Sequence, residues 1–534
     1  MLTQDLLPKL KAEISALLQE LNVDSENRVD KFVSKIAGIV GIEAPEAEKN
    51  GNGRCEAAAT PETAANEESK LPLDRISDEA VLELLELKKL KHRQLEKQMV
   101  SKERAVAIRR AFIEKESRSD LENLPYKNYD YEKIFGACCE NPIGYVPVPV
   151  GIVGPLTVNG KTLFVPMATT EGALIASTNR GCTAIQRSRE GGVEVDIDDD
   201  KMTRAPMVEF GSFARAREFY NFVKNAKNFA VLKKEFESTT SFGKLVEIEA
   251  IRNGKTVFLR FNVTTGDAMG MNMITKGVEH VLNSLKSQFP DMDILSASSN
   301  YCTDKKAAAV NWINGRGKSV QACCTIPKEV VESVFKTSVD RMVEVNVSKC
   351  FIGSLLAGTI GGNNLHAANM VAAIFIATGQ DPAQVVESSM CMTTLKKNAE
   401  GDLDVCCKMN CLEVGTIGGA TGLPAQKANL EMLKCAGGHK TEYGGNAKQL
   451  ARIICATVMA GELSLLGAQC EGTLGSSHMA LNRSKVHLDH HEKPVPAETK
   501  PQISATLRLE RPSSKDSSRK DVLEIKCNNC NHIL

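Results

Sequence analysis

Four segments of this 534-residue chain combine reactive side chains with glycines or small residues, which let a ligand approach the backbone closely. In Thr169-Thr170-Glu171-Gly172-Ala173-Leu174-Ile175-Ala176-Ser177-Thr178-Asn179-Arg180-Gly181-Cys182, the acid Glu171 opens a helical pattern that carries Ser177 and Arg180. Taken alone, such an acid most often caps the helix at the favourable end of its dipole. In Asn300-Tyr301-Cys302-Thr303-Asp304-Lys305-Lys306-Ala307-Ala308, an Asp and two Lys precede small apolar residues. That is either a solvated turn or a place where paired ammonium groups meet a carboxylate or a developing oxyanion. Gly266-Asp267-Ala268-Met269-Gly270-Met271-Asn272-Met273 lacks the GxGxxG fingerprint and so gives no support to a Rossmann site, yet small residues at a helix start can receive a phosphate. Its methionines read by default as core. In Ser477-His478-Met479-Ala480-Leu481-Asn482-Arg483-Ser484-Lys485, His478 is either structural or a proton donor that titrates near neutrality.

The elements that must position these groups give a mixed α+β class. Leu6, Leu7, Leu10, Ile14, Leu17, Leu18 and Leu21 recur at helical spacing, so residues 1–42 are read as an amphipathic helical extension. Residues 43–75 are poor in large apolar side chains and read as a disordered linker. Helical signals resume at the cap-like Ser77-Asp78-Glu79-Ala80 and continue through the charged run from Lys88 to Arg110, within a helical stretch 76–139. From Asn141 the chain turns Pro-, Gly- and Val-rich. Thr256 to Val263 alternates as a strand, whereas Val371 to Ala377 and Ile453 to Leu466 read as buried helices. Residues 488–534 are rich in Lys, Glu, Pro and Ser and read as a disordered tail.

Lys plus Arg and Asp plus Glu both number 66, so no global field would hold the chain on nucleic acid or an anionic membrane. The seventeen cysteines sit in apolar runs such as Ala322-Cys323-Cys324 and Val405-Cys406-Cys407, which predicts reduced thiols in a cytosolic compartment. Cys527, Cys530 and His532 have the spacing of half a zinc site without a second half, so no metal is expected. The N-terminus lacks a signal peptide's pattern, and the C-terminal cysteine sits one position too early for prenylation. Cys350 to Gln380 carries no Asp, Glu, Lys or Arg, but Gly361-Gly362-Asn363-Asn364 and His366 split it into halves shorter than the about 20 residues of a span. It is expected to form a buried helix hairpin.

Together and in this order, the four segments resemble class I 3-hydroxy-3-methylglutaryl-CoA (HMG-CoA) reductase, the eukaryotic type, over about residues 76–487. Glu140-Asn141-Pro142-Ile143-Gly144-Tyr145, Met202-Thr203-Arg204, Gly315-Arg316-Gly317-Lys318-Ser319-Val320, His366-Ala367-Ala368-Asn369, Gly379-Gln380-Asp381 and Gly415-Thr416-Ile417-Gly418-Gly419 carry the resemblance further. It implies reduction of HMG-CoA to mevalonate with two NADPH, and a catalytic set of Glu171, Lys305, Asp381 and His478. Lys305 would stabilise the oxyanion formed by hydride attack, with Asp381 holding the lysine and sharing a network with Glu171 in which one carboxyl is raised. His478 would protonate the departing thiolate. The family pattern assigns substrate binding to Ser177, Arg180, Arg204, Glu279, Ser298, Asp304, Lys306, Lys349, His366 and Asn369. It assigns the cofactor to Asp267, Met269, Gly270, Met271, Asn272, Ile417, Gly418, Asn482 and Arg483.

The resemblance also implies a fold with a helical N-terminal subdomain and a large substrate-binding domain, 140–205 and 309–487, built around a long central helix. A small ferredoxin-like cofactor domain, 206–308, would be inserted in it. Sites would form between subunits of a homodimer or homotetramer. No membrane span is expected, and the chain is read as cytosolic or as a cytosol-facing fragment of an endoplasmic reticulum protein. Several residues depart from the pattern. Ser241 stands where an arginine usually meets the cofactor 2′-phosphate, and losing a charge-assisted contact of about 1.5–3 kcal/mol would open the site to NADH. Thr183 replaces an arginine near CoA, Ala420 a glycine, and Leu481 a histidine three residues before Ser484, which matches an inhibitory phosphorylation position. Gln469 to Ser476 differs from the usual flap helix. The competing expectation is a non-catalytic paralogue that binds CoA esters as a regulatory or scaffold subunit.

Overall fold

The computed structural model describes residues 73–472. The expected N-terminal helix, most of the linker and the tail lie outside the described residues, as do His478, Leu481, Asn482, Arg483, Ser484, Cys527, Cys530 and His532.

Among the described residues eleven strands form in chain order: β1 (Val150–Val158), β2 (Lys161–Ala168), β3 (Glu194–Arg204), β4 (Met207–Glu209), β5 (Lys244–Asn253), β6 (Thr256–Thr264), β7 (Asp293–Ser296), β8 (Gly317–Ile326), β9 (Gly362–Asn363), β10 (Cys391–Lys397) and β11 (Leu403–Leu412). The principal helices are α1 (Asp78–Glu86), α2 (Lys102–Ser117), α3 (Leu174–Gln186), α4 (Phe213–Lys224), α5 (Ala226–Glu237), α6 (Met271–Leu285), α7 (Val339–Asn346), α8 (Ala367–Thr378), α9 (Pro424–Met432) and α10 (Gly445–Glu471).

The Ser77 hydroxyl caps α1, accepting from the Ala80 amide at 3.3 Å as its sequence position suggests. The helical run does not continue unbroken to Arg110. Lys88 turns left-handed at φ 57°, and short turns through Gln98 return the chain so that Arg109 pairs with Glu96. Both side chains are buried, and the pairing compensates their loss of water.

β1 and β2 make an antiparallel hairpin; the other nine strands form one sheet. β3 joins its two parts. Glu194 to Lys201 pairs with β8, which continues to β11 and β10, whereas Met202 to Arg204 pairs with β6. β6 has β5 on one edge and β4 then β3 along the other, and β7 flanks β4. Side chains from Met202 to Met292, including Phe219, Phe236, Phe261 and Phe289, make a hydrophobic cluster of their own.

A larger cluster surrounds α10, whose residues are buried from Leu450 to Leu466 apart from the partly exposed Arg452 and Leu465. At 27 residues this helix is about 40 Å long. It is long and apolar enough to cross a membrane, but 89% of its most apolar window is buried in the fold. α3 packs against it so closely that a Cβ on Gly181 would sit 1.8 Å from the Ala460 carbonyl oxygen.

The expected hairpin within Cys350 to Gln380 holds only in its second half. α8 is buried, but residues 347–357 form π-helical and short α-helical turns with Ile352, Leu355 and Leu356 exposed. Apolar composition alone cannot distinguish a buried helix from one whose face is bare in a single chain.

Candidate active site

The loop after β7 carries Lys305 in the left-handed region, at φ 59°, and turns its ammonium group to within 3.0 Å of an Asp381 carboxylate oxygen. Asp381 is fixed by its position at the head of the turn Pro382–Gln384, where its side chain accepts from the Ala383 amide at 3.0 Å. The hydrogen bond to Asp381 raises the pKa of Lys305 above its ordinary value, against the opposing effect of partial burial. The Lys305 backbone is held too, its N–H donating to Glu387 Oε1 at 2.7 Å.

Behind this pair lies a buried hub. Arg316, just before β8, contacts Asp304 at 3.1 Å and Glu387 at 3.2 Å, bonds Glu413, and donates through Nε to Thr203 Oγ1 at 2.9 Å. Gln384 donates to Asp304 Oδ1 at 3.1 Å, tying the lysine loop to the turn that carries Asp381. Burial pushes Glu387 up and Glu413 well up, against the lowering effect of the Arg316 charge on both. Asp304, Glu387 and Glu413 lie close enough together to hold a cation, but the Arg316 guanidinium already supplies the positive charge among them.

Arg204, at the end of β3, donates to Thr275 Oγ1 at 3.0 Å and to Ser298 Oγ at 3.1 Å, while Lys306 Nζ reaches the Asp304 carbonyl at 3.1 Å. These groups share the lysine loop's surroundings. Glu279 and Lys349 are exposed, and their side chains make no hydrogen bond or ion pair among the described residues.

Glu171 does not cap α3. The N-cap is Ala173, without a side-chain cap, and Glu171 accepts instead from Asn369 Nδ2 at 3.2 Å. Asn369 also donates to His366 Nδ1 at 3.2 Å, and His366 Nε2 lies 3.0 Å from the Gly461 carbonyl, so Nε2 carries the proton. The backbone amides of Leu365 and His366 donate to the buried Glu462 of α10, each at 2.8 Å. Ser177 and Arg180 turn inward and bond Ser464 of α10, each at 2.9 Å, and burial lowers the pKa of Arg180. The expected network joining Glu171 to Asp381 is not formed within one chain: no hydrogen bond among the described residues links Glu171, Asn369 and His366 to Lys305 and Asp381.

A cavity of about 580 Å³ opens beside Asp381, lined by Met269, Gly270, Met271, Asn272, Ile417 and Gly418, with Glu413 at its wall. Gly270 is the N-cap of α6 at φ 92°, and a Cβ there would meet Thr265 at 2.3 Å. Asp267 stands behind this wall. Its carboxylate accepts from the His439 amide at 2.7 Å and the Ala447 amide at 2.9 Å, so it fixes the N-terminus of α10. Ala420 also lines the cavity, Ser241 is exposed in the loop before β5, and Thr183 bonds back to the Asn179 carbonyl at 3.0 Å.

A family model for hydroxymethylglutaryl-coenzyme A reductase matches residues 105–483. The chain belongs to the hydroxymethylglutaryl-coenzyme A reductase family. A 3-hydroxy-3-methylglutaryl-coenzyme A reductase of Drosophila melanogaster is 52% identical over 398 residues, 74% of this chain and 43% of that protein. One from Phycomyces blakesleeanus is 51% identical over 414 residues, covering 77% and 35%. The chain thus spans less than half the length of these relatives, and the matches place it with the eukaryotic, class I reductases. A class II reductase from Streptococcus pneumoniae, solved bound to NADPH, shares the fold with a TM-score of 0.50 at 19% identity, over 75% of this chain and 99% of that one.

Sequence reasoning gave no role to Arg316, Gln384, Glu387, Glu413 or Glu462. A usable signal existed for Glu462, the single charge between Ile453 and Gln469 in a helix-length apolar run. Arg316 lay inside a quoted motif without an assigned task.

Proposed function

We propose that the chain reduces 3-hydroxy-3-methylglutaryl-CoA to mevalonate and CoA with two NADPH. The observation that carries this reading is the Lys305 ammonium, kept protonated by Asp381, which itself lines the small-residue cavity. The cavity's size, its glycine and methionine wall, and the free helix start at Gly270 fit the nicotinamide end of NADPH, held by Met269, Gly270, Met271, Asn272, Ile417 and Gly418. When bound, NADPH supplies hydride.

Lys305 stabilises the negative charge that grows on the thioester carbonyl oxygen, which a fixed ammonium does better than water. Asp381 keeps the lysine charged and aimed. Arg204 and Ser298, with Asp304 and Lys306 beside them, hold the substrate carboxylate. Glu171, positioned by Asn369 and His366, donates the proton in the second reduction, and His478 protonates the thiolate. Ser177 and Arg180 act indirectly, by seating α3 against α10. Ser484, next to Arg483 and Asn482, is a phosphorylation position where added charge opposes the cofactor phosphate.

The two hydrogen-bonded sets are half-sites: Lys305 and Asp381 of one copy act with Glu171 and Asn369 of a second, in a homodimer or larger homo-oligomer. The exposed Ile352, Leu355 and Leu356, close in sequence to Lys349, support burial against that second copy. Residues 206–308 are assigned as a ferredoxin-like cofactor domain inserted between 140–205 and 309–487. Their separate hydrophobic cluster and the strand order β7-β4-β6-β5 support this division. The burial of α10 supports its place in the core of the catalytic body rather than across a membrane.

The test is NADPH oxidation by the full chain on addition of HMG-CoA, with mevalonate measured alongside. Two NADPH consumed per mevalonate, and loss of both signals in Lys305→Ala, are expected. A folded wild-type chain that binds HMG-CoA without oxidising NADPH or NADH is instead a non-catalytic binding subunit.

A further inference from the structure

β8 and β11 run antiparallel, and Cys323 of β8 stands directly opposite Cys406 of β11. Burial alternates from Val320 to Ile326 and from Leu403 to Cys411, so Cys324 and Cys407 face the core, whereas Cys323 is exposed and Cys406 half-buried on the other face. Directly opposed strand residues hold their Cα atoms about 4.5–5.5 Å apart. Disulfides span about 4.4–6.8 Å between Cα atoms, a range that includes this spacing. We propose that Cys323 and Cys406 form a peroxide-reactive dithiol, a modification site that closes a cross-strand disulfide on the outer face of the sheet.

The surroundings select this pair. In the same row lie Glu194 of β3, opposite Cys323, and Thr394 of β10, opposite Cys406, and neither blocks the thiols from the outer face with a large apolar group. A hydrogen bond from Cys406 stabilises the Cys323 thiolate and lowers its pKa to about 7, against burial and the carboxylates of Glu194, Asp196 and Glu190. Burial pushes the thiols of Cys182, Cys350, Cys411 and Cys435 up to about 12, which leaves them protonated and enclosed. Cys302 has a lowered pKa but is buried, with Ser298 as its partner.

In the reaction, the Cys323 thiolate attacks one oxygen of hydrogen peroxide. The O–O bond breaks, the departing hydroxide takes up a proton as water, and Cys323 becomes a sulfenic acid. The Cys406 sulfur then displaces the sulfenic hydroxyl, which leaves as a second water with the Cys406 proton, and the S–S bond forms. Two thiols lose two electrons together and one peroxide is reduced to two waters. Nothing in this step depends on the reductase reading.

The test is peptide mapping of the full chain after limited hydrogen peroxide, with free thiols alkylated by iodoacetamide before and after dithiothreitol. The expected product is a peptide joining the β8 and β11 cysteines, lighter by two hydrogen atoms and released by dithiothreitol. It is lost in Cys323→Ser and in Cys406→Ser, and kept in Cys138→Ser/Cys139→Ser, which removes an adjacent exposed pair of thiols among the described residues. In Cys406→Ser, dimedone is expected to trap the sulfenic acid on Cys323. The wild-type map reads the cross-link even where a variant misfolds. Full alkylation of both cysteines after peroxide, a link between two chains, or over-oxidation of Cys323 without a link would each overturn the proposal.

Discussion

The Lys305 ammonium lies 3.0 Å from an Asp381 carboxylate oxygen, while Glu171, the other carboxyl of the proposed catalytic set, bonds Asn369 at 3.2 Å. One contact sets the charge state of the lysine, and no hydrogen bond among the described residues joins the two sets.

Asp381 raises the Lys305 pKa, so the folded chain keeps this ammonium to higher pH than an isolated lysine would. The sign follows directly: a raised lysine holds its favourable interaction below the unfolded value and loses it as pH rises through the folded value. In Asp381→Asn the alkaline limb of the kcat profile is expected to move to lower pH, with kcat reduced about a hundredfold or more. A limb unmoved by the substitution would remove Asp381 from this role.

Arg316 is the shared partner of Asp304, Glu387 and Glu413. Arg316→Met leaves buried carboxyls without their cation and is expected to cost about 3–5 kcal/mol of stability in urea denaturation. The same hub supports the Lys305 loop, so activity should fall beyond the unfolded fraction.

Burial raises the pKa of Glu413 well above the ordinary carboxyl value, whereas in the unfolded chain it ionises above about pH 4.3. Its contribution to stability is therefore complete below that value and declines as pH rises toward the folded pKa. Between about pH 5 and pH 8 the urea midpoint of the wild type should fall more than that of Glu413→Gln, which cannot titrate.

These relationships show what the sequence could and could not disclose. Ser77, β6 and the long apolar helix α10 declared themselves through capping and periodicity, because those signals act over neighbouring turns. Lys305 and Asp381 could be named from a family pattern, but their contact joins residues far apart in the chain. The hub was hidden for the same reason: Arg316 meets Glu387 across 71 positions and Glu413 across 97. The break at Lys88 is set by the distant pairing of Arg109 with Glu96, which no local propensity reports. Glu279 and Lys349, read together with Arg204 on resemblance, are exposed and make no side-chain hydrogen bond or ion pair to it among the described residues.

Ser241 is exposed in the loop before β5, where a phosphate-binding arginine is expected. Ser241→Arg should raise the kcat/KM ratio of NADPH over NADH by about tenfold or more, through a contact of about 1.5–3 kcal/mol. An unchanged ratio would place 2′-phosphate recognition elsewhere.

The division of the catalytic set between copies is tested most directly by mixing two inactive variants, Glu171→Gln and Lys305→Ala, after dissociation and reassembly. Each mixed dimer would hold one site with both residues intact, so about a quarter of wild-type HMG-CoA-dependent NADPH oxidation should return. Reassembled mixed oligomers that remain inactive, beside an active wild type treated identically, would contradict the account.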